Sequence, residues 1–321
     1  MIRFVWRTDV HLSDVAPSSR KDDWAATVLD KLRQVGEVAR KVGAAAVIDG
    51  GDFFHVKSPS RNSHELIRRT AEVHRAYPCP VYANVGNHDC VYGDYAYLDQ
   101  QPLGVLFATG VFRRLYDEHD YIIEQDGFKV RVVGVPYHGT QYDLDRFRRI
   151  RRGDEDVLVC VAHVLASSKG GSMFEGEDII AYDALAAFEP DVFCFGHWHK
   201  DQGVEVVGGK TIVNIGSLTR GSLSQDEVER KPACAVLSFA PGQPPQVQVV
   251  RLRAAPAAEV FDVAGRARAE ARASTVDTFA ESVRARLATE RGRDVSDVVA
   301  GLDISDRVRE RVLLYLERAG G

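Results

Sequence analysis

A chain of 321 residues, 45% hydrophobic and 27% charged, has the make-up of a globular protein with length for a large core and a further appendage. Its formal net charge of −5 argues against a protein that coats polyanions in bulk, yet leaves room for a local basic groove, because binding depends on where charge sits. No run approaches about 18 consecutive apolar residues and the first residues read as a strand, so neither a membrane span nor a signal peptide is expected, and the cytoplasm is the expected compartment.

In chain order, a strand over 2–8 precedes a helix over about 22–42 and a short apolar strand over 45–48. A helix around 63–77 then leads into a strand over 81–85. This alternation predicts stacked βαβ units, in which ligand sites gather at the carboxyl ends of strands. Asp9, Asp52 and Asn87 each fall just past such an end. Shorter strands follow at 121–124, 129–135, 157–162, 192–195, 204–207, 211–215, 235–239 and 247–252, with turn signals such as Gln125-Asp126-Gly127 and Gly208-Gly209 between them. They predict a second, mixed or antiparallel sheet packed on the first. After Pro256 the composition shifts to Ala, Arg, Glu and Val, with helical runs near 257–273, 274–291 and 305–319. A boundary near 254 therefore separates 1–253 from a helical segment, 254–321. The five cysteines, Cys79, Cys90, Cys160, Cys194 and Cys234, show no C-x-x-C spacing and sit mostly in apolar surroundings, which predicts reduced, packed thiols.

Five short segments carry the chemistry: Asp9-Val10-His11, Gly51-Asp52 with His55, Gly86-Asn87-His88-Asp89, His163, and Gly196-His197-Trp198-His199. Each has a bland alternative when taken alone. An aspartate after a strand often only caps a helix, and Gly86-Asn87 could be a simple turn. His197 and His199 can both face one site only if the backbone bends after Gly196, which a glycine permits. Together, in this order, the segments supply carboxylate, amide and imidazole donors without thiolate. Such donors suit hard or borderline divalent ions, and two ions roughly 3.5–4 Å apart can clamp both oxygens of an in-line phosphoryl displacement. A binuclear metal centre that hydrolyses a phosphoester is the expectation.

The same motifs resemble those of the calcineurin-like metallophosphoesterases over roughly residues 1–253. Two longer segments resemble more closely the SbcD-type double-strand-break repair nucleases of that superfamily. One is Gly50-Gly51-Asp52-Phe53-Phe54-His55 followed by Lys57-Ser58-Pro59-Ser60; the other is Gly216-Ser217-Leu218-Thr219-Arg220 followed by Glu229-Arg230-Lys231-Pro232. The resemblance implies an α/β fold, a four-layer αββα sandwich of two mixed sheets with a C-terminal helical tail. It implies two divalent ions per chain, manganese first, with iron, magnesium or zinc as alternatives. Asp9, His11, Asp52 and His199 would hold one ion, and Asp52, Asn87, His163 and His197 the other, with Asp52 bridging. His88 would protonate the leaving oxygen or stabilise charge on the phosphorane, Asp89 would orient His88, and His55 would touch the scissile phosphate. The implied partners are DNA, an SMC-like ABC ATPase of the SbcC type, and a second copy through the early helices.

The densest basic run, Arg146-Phe147-Arg148-Arg149-Ile150-Arg151-Arg152, would line a nucleic-acid groove, with smaller contributions from Arg61, Arg68, Arg69, Arg113, Arg114 and Arg220. Its bland reading is a solvated helix face, diluted by Asp143, Asp145, Asp154, Glu155 and Asp156. The family's longer members insert a capping domain before a helix-loop-helix that docks on the ATPase. Here only a helical tail is expected, with Val308, Val312, Leu313 and Leu316 on one stripe and Phe279, Val283 and Leu287 on another. Two other readings stand beside the nuclease: a hydrolase of small nucleotides or other phosphoesters, and a non-catalytic scaffold, against which the full ligand set argues.

Overall fold

The computed structural model describes residues 1–55, 62–90, 95–173, 176–262 and 265. The segment Lys57-Ser58-Pro59-Ser60, Arg61 and nearly all of the expected tail, both of its apolar stripes included, lie outside the described residues.

The chain begins with β1 (Ile2–Arg7), α1 (Trp24–Val42), β2 (Ala46–Asp49), α2 (His64–Arg75), β3 (Val81–Ala83), a 3-10 turn over Tyr95–Gln100, α3 (Pro102–Ala108) and β4 (Phe112–Arg114). It continues through β5 (Tyr121–Gln125), β6 (Phe128–Val135), α4 (Asp145–Arg148), β7 (Val157–His163), β8 (Ala166–Ser167), β9 (Gly171–Met173) and β10 (Glu177–Ala181). A 3-10 turn over Tyr182–Ala187 leads to β11 (Val192–Gly196), β12 (Asp201–Val207), β13 (Lys210–Ile215), α5 (Gln225–Glu229), β14 (Ala233–Phe239), β15 (Gln246–Arg251) and α6 (Ala257–Val260).

Local signals explain the first helices. The Asp23 carboxylate accepts the Ala26 N–H at 2.9 Å and caps α1, which ends where Gly43 adopts φ 61°. Ser63 caps α2 in the same way, through the Leu66 N–H. One face of α1, with Val28, Leu29, Leu32, Val35 and Ala39, is fully buried.

Two six-stranded sheets form the centre, ordered β15-β14-β1-β2-β3-β4 and β12-β13-β11-β7-β6-β5. In the first, β1 to β4 run parallel, β14 pairs antiparallel with β1 and β15 antiparallel with β14; in the second, β6, β7, β11 and β13 run parallel between antiparallel edges β5 and β12. Strand alternation sorts the side chains. Phe4 and Trp6 of β1 enter the core between the sheets with Ile48, Val159 and Leu237, whereas Val5 joins Val47 and Val81 against α1, α2 and α3. The outer face of the second sheet is covered by short pieces, Phe147 of α4, Ile180 of β10 and Tyr182 and Leu185 of the second 3-10 turn. The fourth layer is thus thin, and a small sheet ordered β8-β10-β9 belongs to it.

One expectation is corrected. The strands over 235–239 and 247–252 do not extend the second sheet; β14 pairs with β1, placing Ala235, Leu237 and Phe239 in the inter-sheet core and covering what would be an open edge. The first compact unit spans Met1–Phe261, and the second unit, Asp262–Gly321, lies almost wholly outside the described residues. Packing holds the end of the first unit: Phe261 is fully buried beneath the guanidinium of Arg20, 5.0 Å from its ring centroid, and its backbone bridges to Arg20.

Candidate metal centre

All five segments follow the carboxyl end of a parallel strand. Asp9, Asp52 and Asn87 lie beyond β1, β2 and β3 of one sheet, and His163 and His197 lie at the ends of β7 and β11 of the other. The rim where the two sheets face each other therefore collects residues far apart in sequence.

The loops take unusual backbone conformations. Among the described residues six non-glycine residues have positive φ, and four belong to this rim: Asp9 at 52°, His11 at 51°, Asp52 at 54° and His197 at 89°. Such conformations cost on the order of 1–3 kcal/mol each and persist only where the surroundings fix them. Here the loops are laced together. The Asp9 N–H donates to the Gly51 carbonyl at 3.1 Å and the His11 N–H to the Asp52 carbonyl at 3.0 Å. Gly86 is required by close approach, since a Cβ there would lie 2.0 Å from Asp52 Oδ1.

The donor atoms converge. Asp52 Oδ2 lies 3.7 Å from His11 Nε2 and 3.4 Å from His163 Nε2. His199 Nε2 is 2.8 Å from His11 Nε2 and 3.8 Å from Asp9 Oδ1, and Asn87 Oδ1 is 3.3 Å from His163 Nε2. Asp9, His11, Asp52 and His199 form one group able to hold an ion, and Asp52, His163 and His197 another, so Asp52 is common to both. Donor atoms about 3–4 Å apart are what bonds of about 2.0–2.2 Å to a shared ion impose, and all are oxygen or imidazole nitrogen. The set fits two divalent ions sharing one carboxylate.

The electrostatics agree. Burial, with repulsion from His199, holds the His11 pKa well below its usual value, leaving a neutral imidazole ready to ligate. Burial opposes the charge on Asp52, yet His163 and His11 hold its carboxyl well below the usual range. Burial also opposes charge on His163, but Asp52 lifts its pKa to about 9; a cation in that place would displace the proton.

Asp89 departs from expectation. Its carboxylate does not orient His88; it accepts the N–H groups of Asp52 at 2.7 Å, Gly86 at 2.9 Å, Phe53 at 3.1 Å and Phe54 at 3.3 Å. It is a clamp on the loop that carries Asp52. The partner of His88 is the carbonyl of His55, 2.8 Å from Nδ1, while the His88 N–H donates to Asp52 Oδ1 at 2.7 Å. The rings of His55 and His88 stack at 5.4 Å, and His55 Nδ1 lies 3.3 Å from His11 Nδ1.

The second long motif straps the site from outside. Ser217 N–H donates to the His199 carbonyl, Leu218 N–H to the Thr8 carbonyl, and Thr219 Oγ1 to the Val10 carbonyl. Arg230 grips this strap through the Ser217 carbonyl at 2.6 Å and Ser217 Oγ at 2.8 Å, with Glu227 neutralising it at 2.7 Å.

The basic residues divide. Arg220 is 7% exposed, donates to the Ala255 carbonyl at 2.6 Å and lies over Phe261, so it belongs to the core packing and not to a nucleic-acid surface. Arg148 pairs with Asp145, Arg151 with Glu189 and Arg152 with Asp191, at 2.6, 2.9 and 2.6 Å. Arg149 is exposed, 3.7 Å from Asp143. Arg146 has no acid partner among the described residues, and it lines a cleft of about 290 Å³ with Arg131, Arg149 and Arg151.

Sequence reading missed Glu177, whose carboxylate meets His197 Nε2 at 2.9 Å. It sits in Gly176-Glu177-Asp178, at the start of β10, with no spacing to single it out. Thr8, which donates to Asp9 Oδ2 at 2.7 Å, and the buried pair Arg7–Asp49 at 2.7 Å, whose Asp49 accepts the Gly51 N–H, were missed as well.

The chain is 26% identical over 240 residues to the DNA double-strand break repair protein Mre11 of Archaeoglobus fulgidus, a match covering 70% of this chain and 52% of that protein. The chain thus spans about half the length of the curated relative it matches. A crystal structure of a dimetal phosphatase from Danio rerio aligns with a TM-score of 0.50 at 12% identity, covering 78% of this chain and 99% of that one. The structure of TT1561 from Thermus thermophilus aligns over the same shares with a TM-score of 0.47 at 14% identity. No helix among the described residues is long and apolar enough to cross a membrane. Residues 2–201 match the family model of the calcineurin-like phosphoesterases, and the chain belongs to that family.

Proposed function

We propose that the chain is a manganese-dependent phosphodiesterase that cuts DNA, acting in repair, recombination or replication. One observation carries the reading: two donor groups share Asp52, with His88 on their edge, its ring centroid 4.8 Å from that of His11. Bound divalent ions would polarise the phosphoryl oxygens and lower the pKa of an attacking water. Asp9, His11, Asp52 and His199 would hold one ion, and Asp52, Asn87, His163 and His197 the other.

The chain's own groups would do the rest. The His55 carbonyl can only accept, so His88 Nδ1 carries a hydrogen and Nε2 is the atom that exchanges a proton with substrate. In its protonated form, Nε2–H donates to the leaving oxygen. His55, packed on His11 and His88, holds both rings and presents its free edge to the phosphate.

DNA as substrate is supported by the likeness to Mre11 and by Arg146, which has no acid partner among the described residues. An SMC-like ATPase as partner is supported by the resemblance of the two long motifs. One observation favours a second reading, hydrolysis of a small phosphoester: the neighbours of Arg146 are largely neutralised by Asp145, Glu189 and Asp191. The test is a manganese-dependent assay on single- and double-stranded DNA beside a chromogenic bis-phosphodiester. Degradation of DNA by the wild type, abolished in Asp52→Ala and crippled in His88→Ala with both ions still bound, is expected. Turnover of the small diester with DNA untouched gives the second reading, and equal activity of all three proteins contradicts both.

A further inference from the structure

We infer that Glu177 is a positioning residue of the metal centre: it fixes the tautomer and ring orientation of His197, so that Nδ1 is the nitrogen offered to an ion. The inference rests on the binuclear centre proposed above and adds a residue that no motif contains.

The geometry runs outward in a chain of hydrogen bonds. Glu177 Oε1 lies 2.9 Å from His197 Nε2, and a carboxylate only accepts, so Nε2 carries the hydrogen. The lone pair of the neutral ring is then on Nδ1. His197 forms one donor group with Asp52 and His163, each side chain offering one atom to an ion, and with Nε2 committed to Glu177 the atom left for His197 to offer is Nδ1. The same Glu177 oxygen accepts the Tyr142 hydroxyl at 2.8 Å, and that hydroxyl in turn accepts the Leu165 N–H at 3.0 Å. Asp178, the next residue, accepts the Tyr142 N–H at 2.9 Å, which locks the loop before α4 to β10. At the other end, the His197 N–H donates to both Asp9 oxygens at 3.0 and 3.1 Å, and the Tyr137 ring packs 5.3 Å from the imidazole.

Glu177 is largely sheltered, its side chain 17% exposed. The small sheet β8-β10-β9 thereby acquires a purpose beyond covering the core: β10 delivers a carboxylate to the back of a ligand. Backing carboxylates of this kind hold a ligating histidine in register and raise its basicity, and their loss commonly costs roughly 10- to 100-fold in metal affinity.

The test is calorimetric titration of the full chain with Mn²⁺, using wild type, Glu177→Ala, Glu177→Gln and His197→Ala, with the metal-free melting temperature of each. The expected result is two ions on the wild type and one ion weakened about 10- to 100-fold in Glu177→Ala, the other ion unchanged. His197→Ala should lose that same ion. Glu177→Gln should fall between, because its amide oxygen still accepts from Nε2–H. Wild-type affinity for both ions in Glu177→Ala overturns the inference, as does equal weakening of both ions with a lowered metal-free melting temperature, which marks a merely structural role. Glu177→Gln as damaging as the alanine overturns it too, since that is the behaviour of a direct ligand. A wild type that holds fewer than two ions overturns the centre itself, a failure visible before any variant is made.

Discussion

The carboxylate of Asp89 receives the backbone N–H of Asp52 at 2.7 Å, and this bond ties the loop after β3 to the loop after β2 at the residue common to both donor groups. Three further N–H groups, of Gly86, Phe53 and Phe54, end on the same side chain. Asp89→Ala would leave four buried donors without their acceptor, at a cost of about 3 kcal/mol or more. Both stability to denaturant and manganese affinity should fall, with Asp89→Asn intermediate because one acceptor oxygen remains. Unchanged metal binding in Asp89→Ala would contradict the clamp.

Gly86 has no room for a methyl group. A Cβ there would stand 2.0 Å from Asp52 Oδ1 and 2.5 Å from Asp52 N, and neither neighbour is a flexible chain end. Gly86→Ala is expected to displace the bridging carboxylate and abolish hydrolysis, with fewer than two ions bound at wild-type affinity. A fully active Gly86→Ala enzyme would show that Asp52 tolerates another position.

His74 makes a prediction about pH. Its Nε2 faces Arg7 Nη2 at 3.0 Å and so must accept, and Nδ1 donates to the Thr70 carbonyl at 2.7 Å. Burial, then the Arg7 charge, holds its pKa well below 6.5. In the unfolded chain the ring protonates near pH 6.5, so below that pH unfolding takes up a proton. The stabilising contribution is full above about 6.5 and declines as pH falls toward the depressed folded value. In metal-free buffer, the stability gap between wild type and His74→Gln should narrow by about 1.4 kcal/mol per pH unit below about 6.5. Parallel curves would mean that His74 is protonated in the fold.

Arg146 and Arg220 separate a groove from a core. If Arg146 meets a DNA phosphate, Arg146→Ala should reduce the slope of log affinity against log salt by about 0.9. Arg220→Ala should leave that slope unchanged and lower stability, because its guanidinium holds the Ala255 carbonyl and covers Phe261. The reverse pattern would restore Arg220 to the nucleic-acid surface.

The donor residues of the candidate centre were legible because their chemistry is local: each lies at or just past a strand end, and strand ends can be read from apolar runs. The starts of α1 and α2, expected near 22 and 63, were legible for the same reason, the Asp23 and Ser63 caps each bonding within three residues. What escaped depends on partners distant in the chain. Glu177 meets His197 across 20 residues, Asp89 meets Asp52 across 37, and Arg220 meets Ala255 across 35. The return of β14 to β1 is of this kind too, a pairing chosen by which edge needs covering and invisible to any local pattern.

The account stands on two ions bridged by Asp52, and electron paramagnetic resonance of the manganese-loaded chain tests this most directly. It predicts two Mn²⁺ per chain with the spectrum of an exchange-coupled pair, a signal lost in Asp52→Ala. A single ion, or two that behave as isolated Mn²⁺ in the wild type, would contradict it.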